Sequence, residues 1–426
     1  MALKSYIVNF VSPLDLQSLS PILPIESMLK ATRQQTKEHN TSLVLSMVFE
    51  HQSISRAEIA RITSLTRTTV SDIVSELMAE GLVNEVGLGS PTGGKSPILL
   101  SLVENARYLI GVDLAYNEFC GAIVNLRGQT VEKVSLPIDA TCTGEAALAS
   151  LYAILDSLVQ KNYHPLVGIG IGTPGLINTR QGIVLNAVNL DWKNLPLARL
   201  VQERYGLPAY ILNDSQAAAL GEFTRQNPSP SEANLVVINV RRGVGSGIII
   251  NGSLFQGDGY GAGEIGHVVL VHEGGRLCRC GNTGCLETMA STQAVIERVQ
   301  AGRREQLPPV GGQVPVGGQA VTLDTLEKAF NAGDPLACRV ILEAGQYLGM
   351  AISNLIGTLN IARIVLVGDL NRFGEPWLAA IRAAIGRAAL ARLAQDTRVE
   401  LGASGDNGII RGAASFLLKD YSLLFR

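Results

Sequence analysis

The apolar residues of the first hundred positions recur with the period of an α-helix and divide this stretch into three short helices. One face of the first helix collects Leu43, Val44, Met47 and Val48. Ser55 and Glu58 form an S-x-x-E capping box that begins the second helix, and Thr66 is a favourable N-cap for the third. The third helix has apolar residues at i, i+3, i+4, i+7 and i+8 from Val70, and Gly81 follows as its terminator.

Two strand-like segments, "LVNEVG" and "SPILLSLV", follow the third helix and flank the glycine-rich "LGSPTGGK". Three helices with a short turn between the second and third, followed by a two-stranded wing, are the order of a winged helix-turn-helix. We therefore expect a DNA-binding domain at residues 36–104, after an irregular arm at residues 1–35. A three-helix scaffold for protein contacts has the same pattern, and charge does not decide because acids and bases balance here.

The third helix is the one expected to recognise DNA. Its outward side carries short polar residues that can approach base edges or phosphates, and basic residues flank it in the turn and the wing. Gly93 and Gly94 would let the wing enter the neighbouring groove. The expected DNA-binding residues are Arg56, Thr66, Arg67, Thr68, Thr69, Ser71 and Lys95.

From Tyr108 onward, short buried strands alternate with helices, and this plan restarts at Asn234. "YLIGVDL" and "NLVVINV" each open a β-hairpin, and the hairpin of the first half turns at Arg127–Gly128. The repetition predicts a duplicated α/β domain over residues 105–426, with a cleft between its two lobes. The segment "LPPVGGQVPVGGQAV" is typical of a loop.

Composition excludes some classes of protein. With 35 basic and 37 acidic residues the net charge is −2, which implies no overall attraction to nucleic acid or membrane. We find no secretory signal and no apolar run of the roughly 20 residues that a membrane helix needs. We therefore expect a cytoplasmic protein without membrane insertion, a setting in which disulfides are rare.

Three of the six cysteines lie within the eleven residues "LCRCGNTGCLE". Gly281 and Gly284 permit a tight loop that brings the thiols together, and the upstream His267 would complete a Cys3His site, with His272 as a rival fourth ligand. Four protein ligands leave no open position, which indicates a structural zinc rather than a catalytic one. The expected zinc ligands are His267, Cys278, Cys280 and Cys285, in a loop at residues 267–287. Reduced, partly buried thiols are the alternative.

Polar residues at the predicted cleft are the candidates for ligand binding. Asn213 and Asp214 end the strand "PAYILND" where a helix begins, the side of an α/β unit on which ligands usually bind. Asp214 could accept a hydrogen bond from a hydroxyl or act as a general base, although capping the helix is the simpler role. Glu264 and Glu287 flank the cysteine loop, and carboxylates with an Asn, a His and a glycine-rich backbone suit a polyol.

At these motifs the sequence resembles the ROK family of bacterial repressors, open reading frames and kinases. The resemblance rests on "GVGSGIIINGSLFQGDGYGAGEIGH", on "CRCGNTGC" followed by "LE", and on "GIGTPGLIN", "NAVNLDW" and "LNDSQAAALGE" in family order. It covers about residues 30–420 and implies a duplicated actin-like, ribonuclease-H-type fold with a sugar in the cleft. The sugar contacts that it implies are Gly175, Asn213, Asp214, Glu264, His267 and Glu287. In the kinases of the family, the residue matching Asp214 deprotonates the sugar hydroxyl.

The nucleotide side departs from the pattern of the family's kinases in three places. Those kinases open each lobe with a small Gly/Thr-rich turn whose backbone amides hold phosphates. Here the first turn is Leu114-Ala115-Tyr116 and the second contains Arg241-Arg242, while Asp369 replaces a glycine near the C-terminus. These losses favour the repressor branch, similar to repressors that respond to xylose, N-acetylglucosamine or glucose.

We therefore expect a non-enzymatic, sugar-responsive transcriptional regulator, with operator DNA and a sugar or sugar derivative as its partners. A homodimer or homotetramer and an interaction with a sugar-transport protein are further implications of the resemblance. A ROK sugar kinase that phosphorylates a hexose with ATP, with Asp214 as its base, is the alternative.

Overall fold

A computed structural model describes residues 32–90, 96–139, 141–226, 232–306, 320–402, 407–418 and 421–425. Three expectations fall wholly or largely outside these residues: the arm up to residue 31, the wing residues Gly93, Gly94 and Lys95, and the Gly/Pro loop from 307 to 319.

The N-terminal unit has three helices and a three-stranded sheet. Its elements are α1 (Arg33–Glu50), β1 (Ile54–Ser55), α2 (Arg56–Thr63), α3 (Arg67–Ala79), β2 (Val83–Leu88) and β3 (Ile98–Leu102), with strand order β1-β3-β2. Thr66 caps α3 as expected by accepting from Thr69 N, and Gly81 follows the helix with φ +71°. This arrangement agrees with the predicted winged helix-turn-helix.

Two details of this unit differ from the expectation. Helix α1 begins at Arg33, inside the predicted arm, because Thr32 and Gln35 form a complete capping box. At α2 only half of the expected box forms. Ser55 accepts from Glu58 N, but the Glu58 carboxylate lies 3.7 Å from the Arg61 guanidinium instead of bonding the backbone.

Lobe 1 is built on a five-stranded sheet with the order β11-β7-β4-β5-β6. The elements of this lobe are β4 (Tyr108–Leu114), β5 (Glu118–Asn125), β6 (Thr130–Pro137), α4 (Gly144–Val159), β7 (Leu166–Thr173), β8 (Leu176–Asn178), β9 (Ile183–Ala187), β10 (Trp192–Leu195), α5 (Leu197–Tyr205) and β11 (Ala209–Asn213). Strands β4, β7 and β11 are parallel, whereas β4, β5 and β6 form an antiparallel meander. Strands β8–β10 form a small separate sheet.

Lobe 2 repeats this topology with the order β14-β13-β12-β15-β16. Its elements are α6 (Asp214–Gln226), β12 (Leu235–Val240), β13 (Val244–Ile250), β14 (Ser253–Phe255), α7 (Glu287–Ala290), α8 (Thr292–Gln306), α9 (Leu323–Asn331), α10 (Pro335–Leu359), β15 (Arg363–Gly368), α11 (Gly374–Ala388), α12 (Ala391–Asp396), β16 (Arg398–Leu401) and α13 (Gly408–Leu417). An antiparallel meander, β12–β14, is again extended by two parallel strands. The predicted duplication is therefore confirmed.

Helices α6 and α13 pack closely where the lobes meet. A Cβ at Gly221 would lie 1.9 Å from Gly408 O, and one at Gly412 would lie 1.8 Å from Ala217 O. Helix α13 contributes Ile409 and other residues to a core shared with lobe 2. Its remaining apolar residues enter a core shared with lobe 1 and the N-terminal unit. Among the described helices, none combines the length and apolar character of a membrane span.

Candidate functional site

A cleft of about 790 Å³ lies between the lobes. All six residues expected to contact a sugar line it: Gly175, Asn213, Asp214, Glu264, His267 and Glu287. The first three come from the ends of β7 and β11 and the start of α6, and the other three come from the loop after β14 and from α7. The carboxyl ends of the parallel strands thus place one half of the set, as is usual in α/β proteins.

Hydrogen bonds fix the orientation of the Asn213 amide. Its Nδ2 donates to Gly175 O at 3.0 Å, and its Oδ1 accepts from Ser215 N at 2.9 Å. Gly175 has φ +103°, and a Cβ there would lie 2.3 Å from Asn186 O. Only glycine suits this position, so the carbonyl that holds Asn213 depends on it.

Two carboxyl groups of the cleft have raised pKa values. Burial raises the pKa of Asp214 to about 6; Arg241 opposes this shift, whereas Asp113 adds to it. Partial desolvation in the cleft, followed by the charges of Asp214 and Glu287, raises the pKa of Glu264 to about 7, although 45% of its side chain is exposed. Near neutral pH, such groups can accept or donate hydrogen bonds, a property that suits the hydroxyls of a polyol.

The described residues contain a group of four side chains that could hold a metal ion, namely His267, Cys278, Cys280 and Cys285, whose ligand atoms all lie within 4.8 Å of one another. The Cys280 and Cys285 sulfurs are 3.7 Å apart, and Cys278 Sγ is 3.6 Å from His267 Nδ1. Tetrahedral zinc with ordinary bond lengths requires about 3.8 Å between two sulfurs and about 3.6 Å between sulfur and nitrogen. The donor set and its spacing therefore fit zinc, and His267 rather than His272 is its fourth member.

Glycines shape this loop as the sequence predicts. Gly281 has φ +94° and Gly284 has φ +75°, and a Cβ at Gly284 would lie 1.8 Å from Val271 O. Backbone hydrogen bonds, including Cys278 N to Asn282 O at 2.7 Å, close the turn. The loop could not follow this path with larger residues at both positions.

The four-residue cluster lies next to the cleft residues that are expected to contact a sugar. His267 Nε2 lies 4.0 Å from a Glu264 carboxylate oxygen, on the side of the ring away from the cysteines. Glu287, two residues after Cys285, accepts from Val244 N at 3.2 Å and from Arg279 Nη2 at 3.0 Å. Distortion of the loop would therefore displace several cleft residues together.

On the nucleotide side, arginines of lobe 2 reach across to lobe 1. Arg241 Nη1 lies 2.8 Å from Asp113 Oδ2, and these side chains are 20% and 4% exposed. The Arg242 guanidinium lies 5.5 Å from the centre of the Tyr116 ring. Burial alone would lower the pKa of Arg241, but Asp113 and the more distant Asp214 and Asp369 hold it above its ordinary range.

The comparisons with known proteins agree with this geometry. The sequence profile of the ROK family matches residues 109–420, and a winged helix-turn-helix DNA-binding profile matches residues 38–84. The chain belongs to the ROK family. The xylose repressor of Caldicellulosiruptor bescii is 30% identical over 393 residues, which cover 90% of this chain and 96% of that protein.

Solved structures of ROK proteins match both with and without the N-terminal unit. A ROK transcriptional regulator, a homologue of the E. coli Mlc protein, is 27% identical and has a TM-score of 0.77, covering 91% of this chain and 98% of its own. A ROK glucokinase from Streptomyces griseus, solved with glucose and AMPPNP, is 26% identical with a TM-score of 0.63, covering 72% of this chain and 98% of its own.

Helix α3, the predicted recognition helix, presents Arg67 and Thr68 to solvent, and Thr69 and Ser71 are partly exposed. Thr66 is occupied as the helix cap. Arg56 is bound to strand β2 of the wing, with Nη1 3.0 Å from a Glu85 carboxylate oxygen.

Sequence reasoning missed the contacts between the lobes of the ROK domain, including those of Arg241 and Arg279. It identified Arg241 only as the loss of a small residue, not as the partner of Asp113, which is 128 positions away. Arg279, between two of the cysteines, donates to Asn189 of lobe 1 as well as to Glu287. The available signal was Asp113, an acid in a buried strand without a basic residue near it in the sequence. That signal does not identify Arg241 as its partner.

Proposed function

We propose that this protein is a sugar-responsive transcriptional repressor. It binds operator DNA through residues 36–104 and a sugar or sugar derivative in the cleft of residues 105–426. One contrast within the cleft carries the proposal. All six residues expected to contact a sugar line the cleft, whereas the Arg241–Asp113 pair crosses the side on which the family's kinases bind nucleotide. The repressors among its relatives support the same assignment.

Phosphoryl transfer requires donors placed around the transferred phosphate and its metal ion. Backbone turns supply these donors only where small residues let phosphate approach. In this chain, Asp113 is bound to an arginine, and Tyr116 and Arg242 stack at the same turn. Arg241 neutralises the Asp113 carboxylate, which makes Asp113 a poor ligand for a magnesium ion, and we propose that the protein is not a kinase.

A sugar kinase is the second candidate because Asp214 has the properties of a general base. Its pKa of about 6 is well matched to proton abstraction near neutral pH, and its position in the cleft is appropriate. A coupled assay with ATP, magnesium and a hexose panel tests this candidate. Sugar phosphate formed by wild type and abolished in Asp214→Asn would contradict the non-enzymatic assignment.

We further propose that His267, Cys278, Cys280 and Cys285 hold a structural zinc ion. Bound there, zinc would supply a fixed tetrahedral crosslink and no reaction chemistry. His267 would bind through Nδ1 and keep Nε2 facing Glu264 and the cleft. Because Glu287 lies two residues after Cys285, the same crosslink would also fix the position of the Glu287 carboxylate.

On the DNA side we propose Arg67, Thr68, Thr69 and Ser71 of helix α3 as the main contacts, with Thr66 as the cap of that helix and Arg56 and Lys95 as further DNA-binding residues. A homodimer or homotetramer would present two such helices to two half-sites of an operator. We expect the protein in the cytoplasm with its DNA, and a sugar-transport protein as a further partner.

The decisive experiment combines a sugar screen with DNA binding. Thermal shift against D-xylose, D-glucose, N-acetyl-D-glucosamine and their phosphates should identify a stabilising ligand, because a ligand that binds only the native state raises Tm. The same ligand should then change the affinity for a duplex selected by the protein from random DNA. Sequence-specific DNA binding that no sugar alters would refute the sugar-responsive assignment.

A further inference from the structure

The N-terminal unit and lobe 1 share a buried core. Leu45 and Val48 of α1 belong to the same apolar cluster as Leu109 of β4 and Val124 of β5. The Phe49 and Tyr421 rings add a contact, with their centres 5.4 Å apart. A shared core restricts how far the unit can turn relative to lobe 1, so small displacements of lobe 1 are passed on to it.

Arg127, in the turn between β5 and β6, joins lobe 1 to the end of α1. Its Nη1 donates to Phe49 O at 2.5 Å, and its Nη2 donates to His51 O at 3.1 Å. These carbonyls belong to the last turn and the C-cap of α1, where helix carbonyls lack intrahelical partners and the helix dipole favours a cation. Arg127 is thus a helix cap supplied by another domain.

The turn that carries Arg127 is itself held firmly. Asn125, which is buried, accepts through Oδ1 from Arg127 N at 3.1 Å and from Gln129 N at 3.0 Å. Its Nδ2 donates to Asn105 at 3.1 Å and to Gln129 at 2.9 Å. The Arg127 side chain is only 21% exposed. The position of its guanidinium therefore follows the position of the hairpin.

One hairpin connects this turn with the cleft. Strands β4 and β5 pair from Tyr108–Asn125 at the junction to Leu114–Phe119 at the cleft, a length of about 20 Å. At the cleft end, Asp113 is bound to Arg241 of lobe 2. The same pair of strands thus contacts lobe 2 at one end and α1 at the other.

We propose that Arg127 is the positioning residue through which the sugar domain sets the orientation of the DNA-binding unit. The inference rests on the proposed function. A ligand that favours one relation of the lobes acts on Asp113 at the cleft end of the hairpin. The hairpin is continuous and paired along its length, so its other end moves with it, and Arg127 carries this displacement to the C-terminal end of α1.

The test separates coupling from binding. Arg127→Gln removes the charge and the paired donors, while Arg127→Lys keeps the charge but cannot reproduce the planar pair of donors. Arg382→Gln is the matched control, because Arg382 also donates to a main-chain carbonyl, Val399 O, but in lobe 2 far along the chain from α1. Sugar Kd is measured by calorimetry, and Kd for the selected duplex is measured with and without the active sugar of the panel.

In wild type and Arg382→Gln, we expect the sugar to change the duplex Kd by about tenfold or more, a usual size for coupling between sites. In Arg127→Gln, this ratio should fall to about twofold or less while the sugar Kd stays within about twofold, and Arg127→Lys should be intermediate. This pattern assigns to Arg127 a role in transmission.

Two outcomes would overturn the inference alone. One is a full sugar response in both Arg127 variants. The other is an equal loss of duplex affinity with and without sugar, which leaves the ratio intact and makes Arg127 merely structural. A wild-type protein without any sugar response would overturn the proposed function together with this inference, so the two failures are distinguishable. If Arg127→Gln does not fold, Arg127→Lys decides.

Discussion

Removal of Arg241 should weaken the contact between the two lobes, because the buried Asp113 carboxylate loses its partner. Asp113 has 4% of its side chain exposed, and its second oxygen, Oδ1, is buried without a hydrogen-bond partner among the described residues. Breaking a buried pair by removing one partner costs about 3–5 kcal/mol, and Arg241 is one-fifth exposed, which favours the lower end. We expect Arg241→Met to cost about 3 kcal/mol, or ~4 °C in Tm for a two-lobed domain of this size.

The assay exploits the two tryptophans of the chain. Trp192 lies in lobe 1 and Trp377 in lobe 2, and both are buried. In variants that retain one tryptophan each, fluorescence during thermal unfolding reports the two lobes separately. We expect Arg241→Met to lower the stability reported by both, because the pair joins them.

A double-mutant cycle with Asp113→Asn tests the electrostatic reasoning. Asparagine is neutral, so the loss of Arg241 leaves no uncompensated charge, and Arg241→Met should cost roughly 2 kcal/mol less in that background. Costs that add to within about 0.5 kcal/mol would show that the two side chains do not interact in solution, and the reasoning would be wrong.

Three further predictions concern the metal cluster, pH and DNA. Cys280→Ser should release zinc and weaken sugar binding together, as followed by metal analysis and calorimetry; zinc-free protein with normal sugar affinity would separate the two. Sugar affinity should fall as pH falls through about 6, where Asp214 loses the charge that accepts from a hydroxyl; Asp214→Asn should remove this step and leave only the titration of Glu264 near pH 7. The free energy of unfolding changes in the opposite direction to sugar affinity. Because the pKa of Asp214 is raised in the folded state, Asp214 contributes stability at low pH that is lost as pH rises through about 6. Arg67→Ala should weaken duplex binding and reduce the slope of log Kd against log salt by about one, whereas an unchanged slope would exclude a phosphate contact.

Local signals in the sequence predict local structure well. The cap at Thr66 and the glycines of the cysteine loop are recognisable because each is set within a few residues by backbone geometry. The duplicated topology also follows from a repeated pattern of strands and helices. Helix α1 began earlier than expected because its apolar face starts well inside it, whereas the Thr32 cap depends on polar residues before that face.

Contacts between distant segments could not be predicted in the same way. Arg241 and Asp113 are separated by 128 positions, and Arg127 and Phe49 by 78. No periodicity or capping rule relates such residues, since their distance depends on how sheets and helices pack. The sequence marked Arg241 as a departure from a pattern, but only the fold assigns it a partner.

In the proposed repressor, the arginines of lobe 2 would connect the two lobes without a bound nucleotide. Asp113 and Arg241 join the two central strands, Arg242 stacks on Tyr116, and Arg279 reaches Asn189 from the cysteine loop. A nucleotide would otherwise bridge the lobes through its phosphates and metal ion, charges that arrive only with the ligand. Here the bridging charges belong to the chain itself, so a sugar in the cleft would be the ligand that changes the relation of the lobes. That arrangement suits a protein whose output is a conformation rather than a product.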